Sequence, residues 1–470
     1  MSELRDRVLR QPIGLRLTKE ETLRDENDIL LACEEHEQVL ACCILSPKDE
    51  RTVQLRQMAV APELWGQGLG TKLLHFAEQT ARTRGYKRLT LHARSSALGF
   101  YEKNGYRING GEFTEVGIPH YEMNKIMNLQ ELVRPNIWNL KPYSCARDEF
   151  QGEASVYLDA NESPYNAPYN RYPDPLQLRL KQEIAGIKGI RVSQIMIGNG
   201  SDEPIDLLIR IFCEPAEDNI VAIDPSYGMY QVTADINNIE CRKVLLNEDY
   251  SLDAARVLAA TDKQTKLVFL CSPNNPSGNL LEREEVLKVI NGFHGVVVVD
   301  EAYIDFASAP SLLQDLNRYP SLVVLQTFSK AWGLASVRCG MAFAGEEIIA
   351  LFNKVKYPYN INILTQEFVL NQLKNKEQTK EWIQLILAER PLMEERLKEL
   401  PLVETVYPSD ANFILVKVKD ANKTYQGLVD KGVIVRNRNS VSLCNGCLRI
   451  TIGTPEENQT LINELKDLDL

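Results

Sequence analysis

The residues best placed to do chemistry are an asparagine, an aspartate, a tyrosine and a lysine, each just beyond an apolar run. Leu267-Val-Phe-Leu-Cys271 leads into Ser272-Pro-Asn-Asn275-Pro-Ser-Gly278, and Val296 through Val299 into Asp300-Glu-Ala-Tyr303. Leu322-Val-Val-Leu325 leads into Gln326-Thr327-Phe-Ser329-Lys330. Near-continuous Val/Leu runs suit strands buried on both faces of a parallel sheet, and open parallel sheets bind ligands beyond their carboxyl ends. Asn275, Asp300, Tyr303 and Lys330 are therefore expected to converge on one crevice. A fourth piece, Ile197-Gly-Asn-Gly-Ser201-Asp202-Glu-Pro204, is expected to open a helix, because Ile205, Leu208, Ile209 and Phe212 recur at i, i+3, i+4 and i+7. Ser201 suits its N-cap, the glycines let amides approach a ligand, and the free N–H groups make an anion site. Arg338 and the hydroxyls beside Lys330 would complete a phosphate cradle.

A lysine, an aspartate and a phosphate cup are what pyridoxal phosphate requires. The amine bonds to the cofactor's aldehyde, and the carboxylate keeps the pyridine nitrogen protonated so that the ring accepts electrons. Asn275 and Tyr303 could donate to the phenolate oxygen, and Tyr227, in Asp224-Pro-Ser-Tyr-Gly, offers an aromatic face. Each piece alone is commonplace: a solvated lysine, a turn aspartate, a Gly-Asn-Gly turn. The ordered set, spaced 25 and 30 residues from Asn275 to Asp300 to Lys330, is not.

A second arrangement lies near the N-terminus. Thr52-Val-Gln-Leu-Arg-Gln-Met58-Ala-Val60-Ala-Pro62 alternates like a strand and runs into Glu63-Leu-Trp65-Gly-Gln67-Gly68-Leu-Gly70-Thr71. A helix with Leu69, Leu73, Phe76, Ala77 and Thr80 on one face should follow. Strand, glycine loop and helix suit a pyrophosphate. A second strand, Arg88-Leu-Thr-Leu-His-Ala93, then leads to Ala97-Leu-Gly-Phe-Tyr101-Glu-Lys-Asn-Gly105-Tyr106.

The elements that must position these residues fit two or three domains in 470 residues. With 44% hydrophobic and 25% charged residues the composition is globular. No apolar run approaches the roughly 18–20 residues that span a bilayer, and the charged start Met1-Ser-Glu-Leu-Arg-Asp6 has no signal core; a cytoplasmic protein is expected. Residues 1–127 carry 18 basic and 18 acidic residues, leaving the whole net charge of −11 to the remainder. Neither part has the basic excess that nucleic-acid binding needs. One CxxC, Cys444-Asn-Gly-Cys447, has no second pair for a zinc site, so reduced thiols and no metal are expected. The pattern changes near residue 128: a mixed α/β unit up to about 127, an extended arm over 128–160 punctuated by Pro135 and Pro142, alternating strands and helices over about 161–370, and a smaller α+β domain over about 371–470.

From about 130 to 468 the chain resembles the histidinol-phosphate aminotransferases, fold-type I enzymes of the class II aminotransferase group. The resemblance is carried by Leu158-Asp-Ala-Asn-Glu-Ser-Pro164, Arg171-Tyr-Pro-Asp174, Gly198-Asn-Gly-Ser-Asp-Glu203, Asp300-Glu-Ala-Tyr-Ile-Asp-Phe306, Phe328-Ser-Lys-Ala331, Val337-Arg-Cys-Gly340 and Leu448-Arg-Ile-Thr-Ile-Gly453, with the Asn275 segment already quoted. It implies Lys330 as the cofactor-bearing base, Asp300 on the pyridine nitrogen, and Tyr303 and Asn275 on the phenolate oxygen. Ser201, Asp202, Thr327, Ser329 and Arg338 would hold the phosphate. Tyr172 would reach the cofactor phosphate of a neighbouring subunit, implying a homodimer. Arg449 matches the family's substrate arginine, and Arg436, Tyr143 and Asn161 match other substrate-side positions. Ser163 stands where many relatives have Asn. An aromatic amino-acid aminotransferase and a threonine-phosphate decarboxylase stand as alternatives.

The first segment resembles the GNAT-type N-acetyltransferases, a likeness that Gly117-Ile-Pro-His120 and Tyr121-Glu-Met123 extend. It implies acetyl-CoA between two splayed strands, backbone near Met58 and Val60 facing the thioester, amides of Gln67, Gly68, Gly70 and Thr71 on the pyrophosphate, and Tyr101 as general acid. His120 and Glu115 are candidate bases. Trp65 departs from the Arg or Gln usual at its position, and the family's first strand and helix precede the stretch that here starts at Leu4, so either the start is misplaced or the domain lacks an edge strand and part of its acceptor pocket. A non-catalytic binding module is the alternative reading.

Overall fold

A computed structural model describes residues 1–23, 25, 28–36, 38–50, 52–84, 86, 88–104, 106–126, 129–143 and 155–468. The expected join at 127/128 and residues 144–154 of the expected arm lie outside the described residues. The chain folds as two units, Met1–Leu132 and Val133–Leu470.

In the first unit, among the described residues, β1 (Ile29–Glu35), β2 (Gln38–Pro47), β3 (Thr52–Val60), β4 (Arg88–Arg94), β5 (Arg107–Glu115) and β6 (Ile118–Ile126) form a sheet in the order β1-β2-β3-β4-β6-β5. Only β3 and β4 are parallel, because helix α1 (Leu69–Thr83) crosses between them. Their ladder runs from Thr52↔Arg88 to Leu55↔Leu91. Beyond it Gln57 takes a positive φ of 48°, the register against β2 slips, and β3 leaves β4. The buried stripe of α1 is Leu73, Leu74, Ala77 and Ala81. The expected face is corrected at Phe76, which is 52% exposed, because the stripe takes in Leu74 and turns Phe76 outward. After β4 comes α2 (Leu98–Lys103).

In the second unit, among the described residues, β7 (Ile195–Asn199), β8 (Asn219–Asp224), β9 (Glu240–Leu245), β10 (Thr265–Cys271), β11 (Val296–Asp300), β12 (Leu322–Thr327) and β13 (Cys339–Ala344) form a sheet in the order β7-β13-β12-β11-β10-β8-β9. The expected parallel sheet is corrected at β13, which runs antiparallel to β12 and β7. The link 328–338 is too short for a helical crossover and must return on the same edge. Val296 through Val299 are wholly buried, as a central strand requires. Two helices matter for the site, α3 (Asp202–Phe212) and α4 (Met229–Ile236). The long α5 (Lys376–Lys398) leads to β14 (Val403–Val406), β15 (Phe413–Val418), β16 (Arg436–Asn437) and β17 (Cys447–Thr451), an antiparallel sheet ordered β14-β15-β17-β16. The expected extended arm is also corrected: Leu129–Glu131 and Pro135–Trp138 are single helical turns. Pro135 sits at a helix start, where its missing N–H costs nothing.

Gly340 of β13 lies against the loop after β7, and a Cβ there would fall 2.4 Å from Gly200 C and Ser201 N. Neither backbone atom can yield without opening the β7–β13 ladder. Gly340→Ala is expected to cost about 1–3 kcal/mol, read as a lower urea midpoint for the second unit; an unchanged midpoint would contradict the close approach.

Candidate active site

Cys271, Asp300 and Leu325 lie side by side in register at the carboxyl ends of β10, β11 and β12. The segments that follow therefore leave from one edge and border a crevice lined by Asn275, Asp300, Tyr303, Thr327, Ser329 and Lys330 among others. Asp300 is 2% exposed. Its Oδ2 accepts a hydrogen bond from the Tyr230 hydroxyl at 2.8 Å and its Oδ1 one from Ala302 N–H at 3.1 Å. Burial pushes its carboxyl up to about 6, opposed by those two donors. Tyr230 was not singled out from the sequence. It stands on α4 three residues beyond Tyr227, which precedes the helix, and the two rings meet edge to face with centroids 5.7 Å apart. Its ring is buried and stacked on Phe269, with centroids 4.8 Å apart.

Opposite the carboxylate lies a cup of donors. Gly200 continues β7 with φ +67°, which turns the chain into α3, and Gly200, Ser201 and Asp202 at this turn line the crevice. Ser201 occupies the N-cap position but makes no side-chain cap bond. The expected cap is corrected: its backbone is already near-helical, and the hydroxyl is left for another partner. Arg338 Nη2 lies 3.3 Å from Asp202 Oδ2, and the Thr327 and Ser329 hydroxyls meet at 3.0 Å. Asp202 Oδ1 accepts from the Tyr227 hydroxyl at 3.0 Å. The Lys330 amine lies 5.4 Å from the Tyr303 ring centroid. Desolvation, then the nearby Arg449, lower its pKa, and Asp300 opposes them. Among the described residues no carboxylate pairs with it.

A guanidinium, hydroxyls and a helix start on one wall, a buried carboxylate on another and an unpaired amine between them fit a phosphorylated pyridine aldehyde. Gly200 preserves the cup, since a Cβ there would come within 2.7 Å of Arg338 Nη2.

On the substrate side, Arg449 Nη1 donates to Asn275 Oδ1 at 2.5 Å, and its guanidinium lies 5.2 Å from the Phe413 ring. Arg436 is its direct partner across β16 and β17. Three expected residues stand apart from the crevice. Tyr172 and Asn161 line another hollow, where Tyr172 stacks on Tyr359 at 4.4 Å. Tyr143 is 71% exposed.

In the first unit the parting of β3 from β4 leaves a wedge beside Met58 and Val60. The Tyr101 hydroxyl, from α2, donates to Met58 Sδ at 3.8 Å, and burial raises its pKa. Gly68 takes φ +80° at the start of α1, a conformation that admits few other residues. Gln67, Gly70 and Thr71 flank it there. Trp65 Nε1 donates to the Val60 carbonyl at 2.8 Å, so that backbone acceptor already has a partner. His120 is buried with its Nδ1 3.0 Å from the Ile118 carbonyl, and Glu115 Oε2 lies 2.7 Å from His92 Nδ1.

Tyr230→Phe removes one of the two donors that favour ionised Asp300. The carboxyl should then titrate about 1–2 pH units higher, measured by carboxyl carbon NMR; an unmoved titration would contradict the assigned hydrogen bond.

Residues 154–465 match the family described as aminotransferase class I and II, and residues 3–106 match the acetyltransferase (GNAT) family. The histidinol-phosphate aminotransferase of Parabacteroides distasonis is 59% identical over 343 residues, covering 73% of this chain and 99% of that protein. That of Bacteroides fragilis is 58% identical over 339 residues, covering 72% and 98%. Among solved structures, the histidinol-phosphate aminotransferase of Sinorhizobium meliloti in complex with pyridoxal-5'-phosphate superposes with a TM-score of 0.59 at 25% identity, covering 66% of this chain and 89% of that one. With its crevice built at the same strand ends that carry the matched motifs, the chain belongs to the class I and II aminotransferases, with a GNAT domain ahead of the aminotransferase domain.

Proposed function

We propose that the chain is a histidinol-phosphate aminotransferase of histidine biosynthesis, exchanging L-histidinol phosphate and 2-oxoglutarate with imidazole-acetol phosphate and L-glutamate. The observation that carries this reading is one crevice holding Lys330, Asp300 and the cup of Ser201 and Arg338, in a chain that spans 99% of a relative bearing that name. Bound pyridoxal phosphate supplies an aldehyde for the amino group and a ring that withdraws electrons from the neighbouring carbon. Lys330 would hold it and then, through Nζ, move the proton at the substrate carbon; its lowered pKa favours the neutral amine that such a base needs. Asp300, kept ionised by Tyr230 and Ala302 N–H, would face the ring nitrogen. Tyr303 and the amide nitrogen of Asn275 would donate to the ring oxygen, while Asn275 Oδ1 steadies Arg449. Arg449, with Arg436 beside it, would bind the anionic end of each substrate in turn. Exposed Tyr172 suits a role on a second copy's cofactor phosphate in a homodimer, with Tyr143 and Asn161 on the substrate side.

The first unit is read as an acetyl-CoA-dependent N-acetyltransferase module, with Tyr101 as general acid and the amides of Gln67 to Thr71 on the pyrophosphate. The wedge beside Met58, closed on one side by the Tyr101 hydroxyl, supports this.

Lys330→Ala is expected to lower transamination by at least about 10²-fold and to remove the visible absorbance of the cofactor bound to the lysine; retained turnover would refute the assignment. Specificity constants for histidinol phosphate, phenylalanine and threonine phosphate separate the leading reading from its alternatives, histidinol phosphate being favoured. Acetyl-CoA should bind in calorimetry, and Gly68→Val should weaken it at least about tenfold, because a β-branched residue resists positive φ. Absent binding by the unaltered protein would leave the first unit without this role.

A further inference from the structure

Arg436 and Arg449 are direct partners across β16 and β17 and so project from the same face of that sheet. Arg438 lies two residues beyond Arg436. Its N–H donates to the Cys447 carbonyl at 2.9 Å, continuing the ladder, so the alternation of side chains puts it on that face too. The face is the one turned to the crevice, because Arg449 reaches Asn275 from it. Arg438 Nε is buried and has no hydrogen-bond partner. Among the described residues none of the three guanidinium groups is paired with a carboxylate. Burial, then the charges of Arg449 and Arg436, bring Arg438 down to about 10, still cationic at neutral pH. The Tyr303 hydroxyl on the crevice wall feels both Arg449 and Arg438. Three like charges beside a buried donor without a partner are an arrangement that an anionic ligand would satisfy.

We propose that Arg438 is a specificity-determining residue that, with Arg436 and Arg449, selects a phosphate monoester dianion over a carboxylate group at the same end of the substrate. The inference rests on the aminotransferase reading and adds to it the charge state of the preferred substrate. A phosphate monoester loses its second proton near pH 6, so a third cation strengthens its binding most above that pH. A carboxylate group at that end brings one charge, which Arg449 alone can meet; the second carboxylate of glutamate lies at the other end of the molecule.

The test compares the two half-reactions of the holoenzyme. Arg438→Gln is expected to lower kcat/KM for histidinol phosphate by roughly 10- to 100-fold, mostly through KM. It should change kcat/KM for glutamate less than about threefold and leave the cofactor absorbance intact. Between pH 5 and 8 the preference of the unaltered enzyme for histidinol phosphate should rise and that of the variant should stay flatter. Arg438→Lys should recover part of the loss and stands in should the glutamine variant fail to fold. Inorganic phosphate should inhibit the unaltered enzyme more strongly than either variant. Equal losses in both half-reactions, or no loss with histidinol phosphate, would overturn the role of Arg438. Failure of the unaltered enzyme to use histidinol phosphate would instead overturn the substrate assignment, with phosphate inhibition still reporting on the cluster.

Discussion

Burying one carboxylate at the end of β11 is the constraint around which the second unit is arranged. Asp300 sits where a charge is costly, and its raised pKa records that cost. Tyr230 and the Ala302 N–H offset part of it locally. A cationic ring nitrogen would offset more, which explains why the carboxylate lies on the floor of a crevice that also offers a phosphate cup and an unpaired lysine. The same burial orders the neighbouring elements: Phe269 of β10 backs the Tyr230 ring, and the parallel register brings Cys271 level with Asp300.

The antiparallel β13 solves a second problem. A cup for a phosphate needs a guanidinium facing a helix start at close range. A strand entering from the opposite direction delivers Arg338 beside Gly200, where the backbones meet through Gly200 N–H and the Arg338 carbonyl at 2.9 Å. Glycine at 340 lets the two segments approach, and glycine at 200 leaves room for the Arg338 guanidinium. The small domain then brings its arginines to the crevice on a sheet face, tied to it by the contact between Arg449 and Asn275.

Much of this was legible in the sequence because buried parallel strands write themselves as runs of Val and Leu, and each run ends where its polar residues begin. Asp300, Lys330 and Asn275 follow from that rule. The helix face of Ile205, Leu208, Ile209 and Phe212 is buried throughout, as its spacing requires. Tyr230 and Arg438 were not visible, since a hydroxyl reaching a carboxylate 70 residues away, or a guanidinium left without a partner, depends on tertiary approach. The direction of β13 turned on the length of one link, and Phe76 on which of two adjacent apolar residues the core of the first unit accepts. Trp65 shows the same limit, because its hydrogen bond to Val60 is set by the loop's path and not by its residue type.

The most direct measurement of the central claim is borohydride reduction of the protein as purified with pyridoxal phosphate, followed by peptide mapping in a mass spectrometer. A single reduced-cofactor adduct is expected, on the peptide that contains Lys330. An adduct on any other lysine, or none in a preparation shown to contain the cofactor, would contradict it.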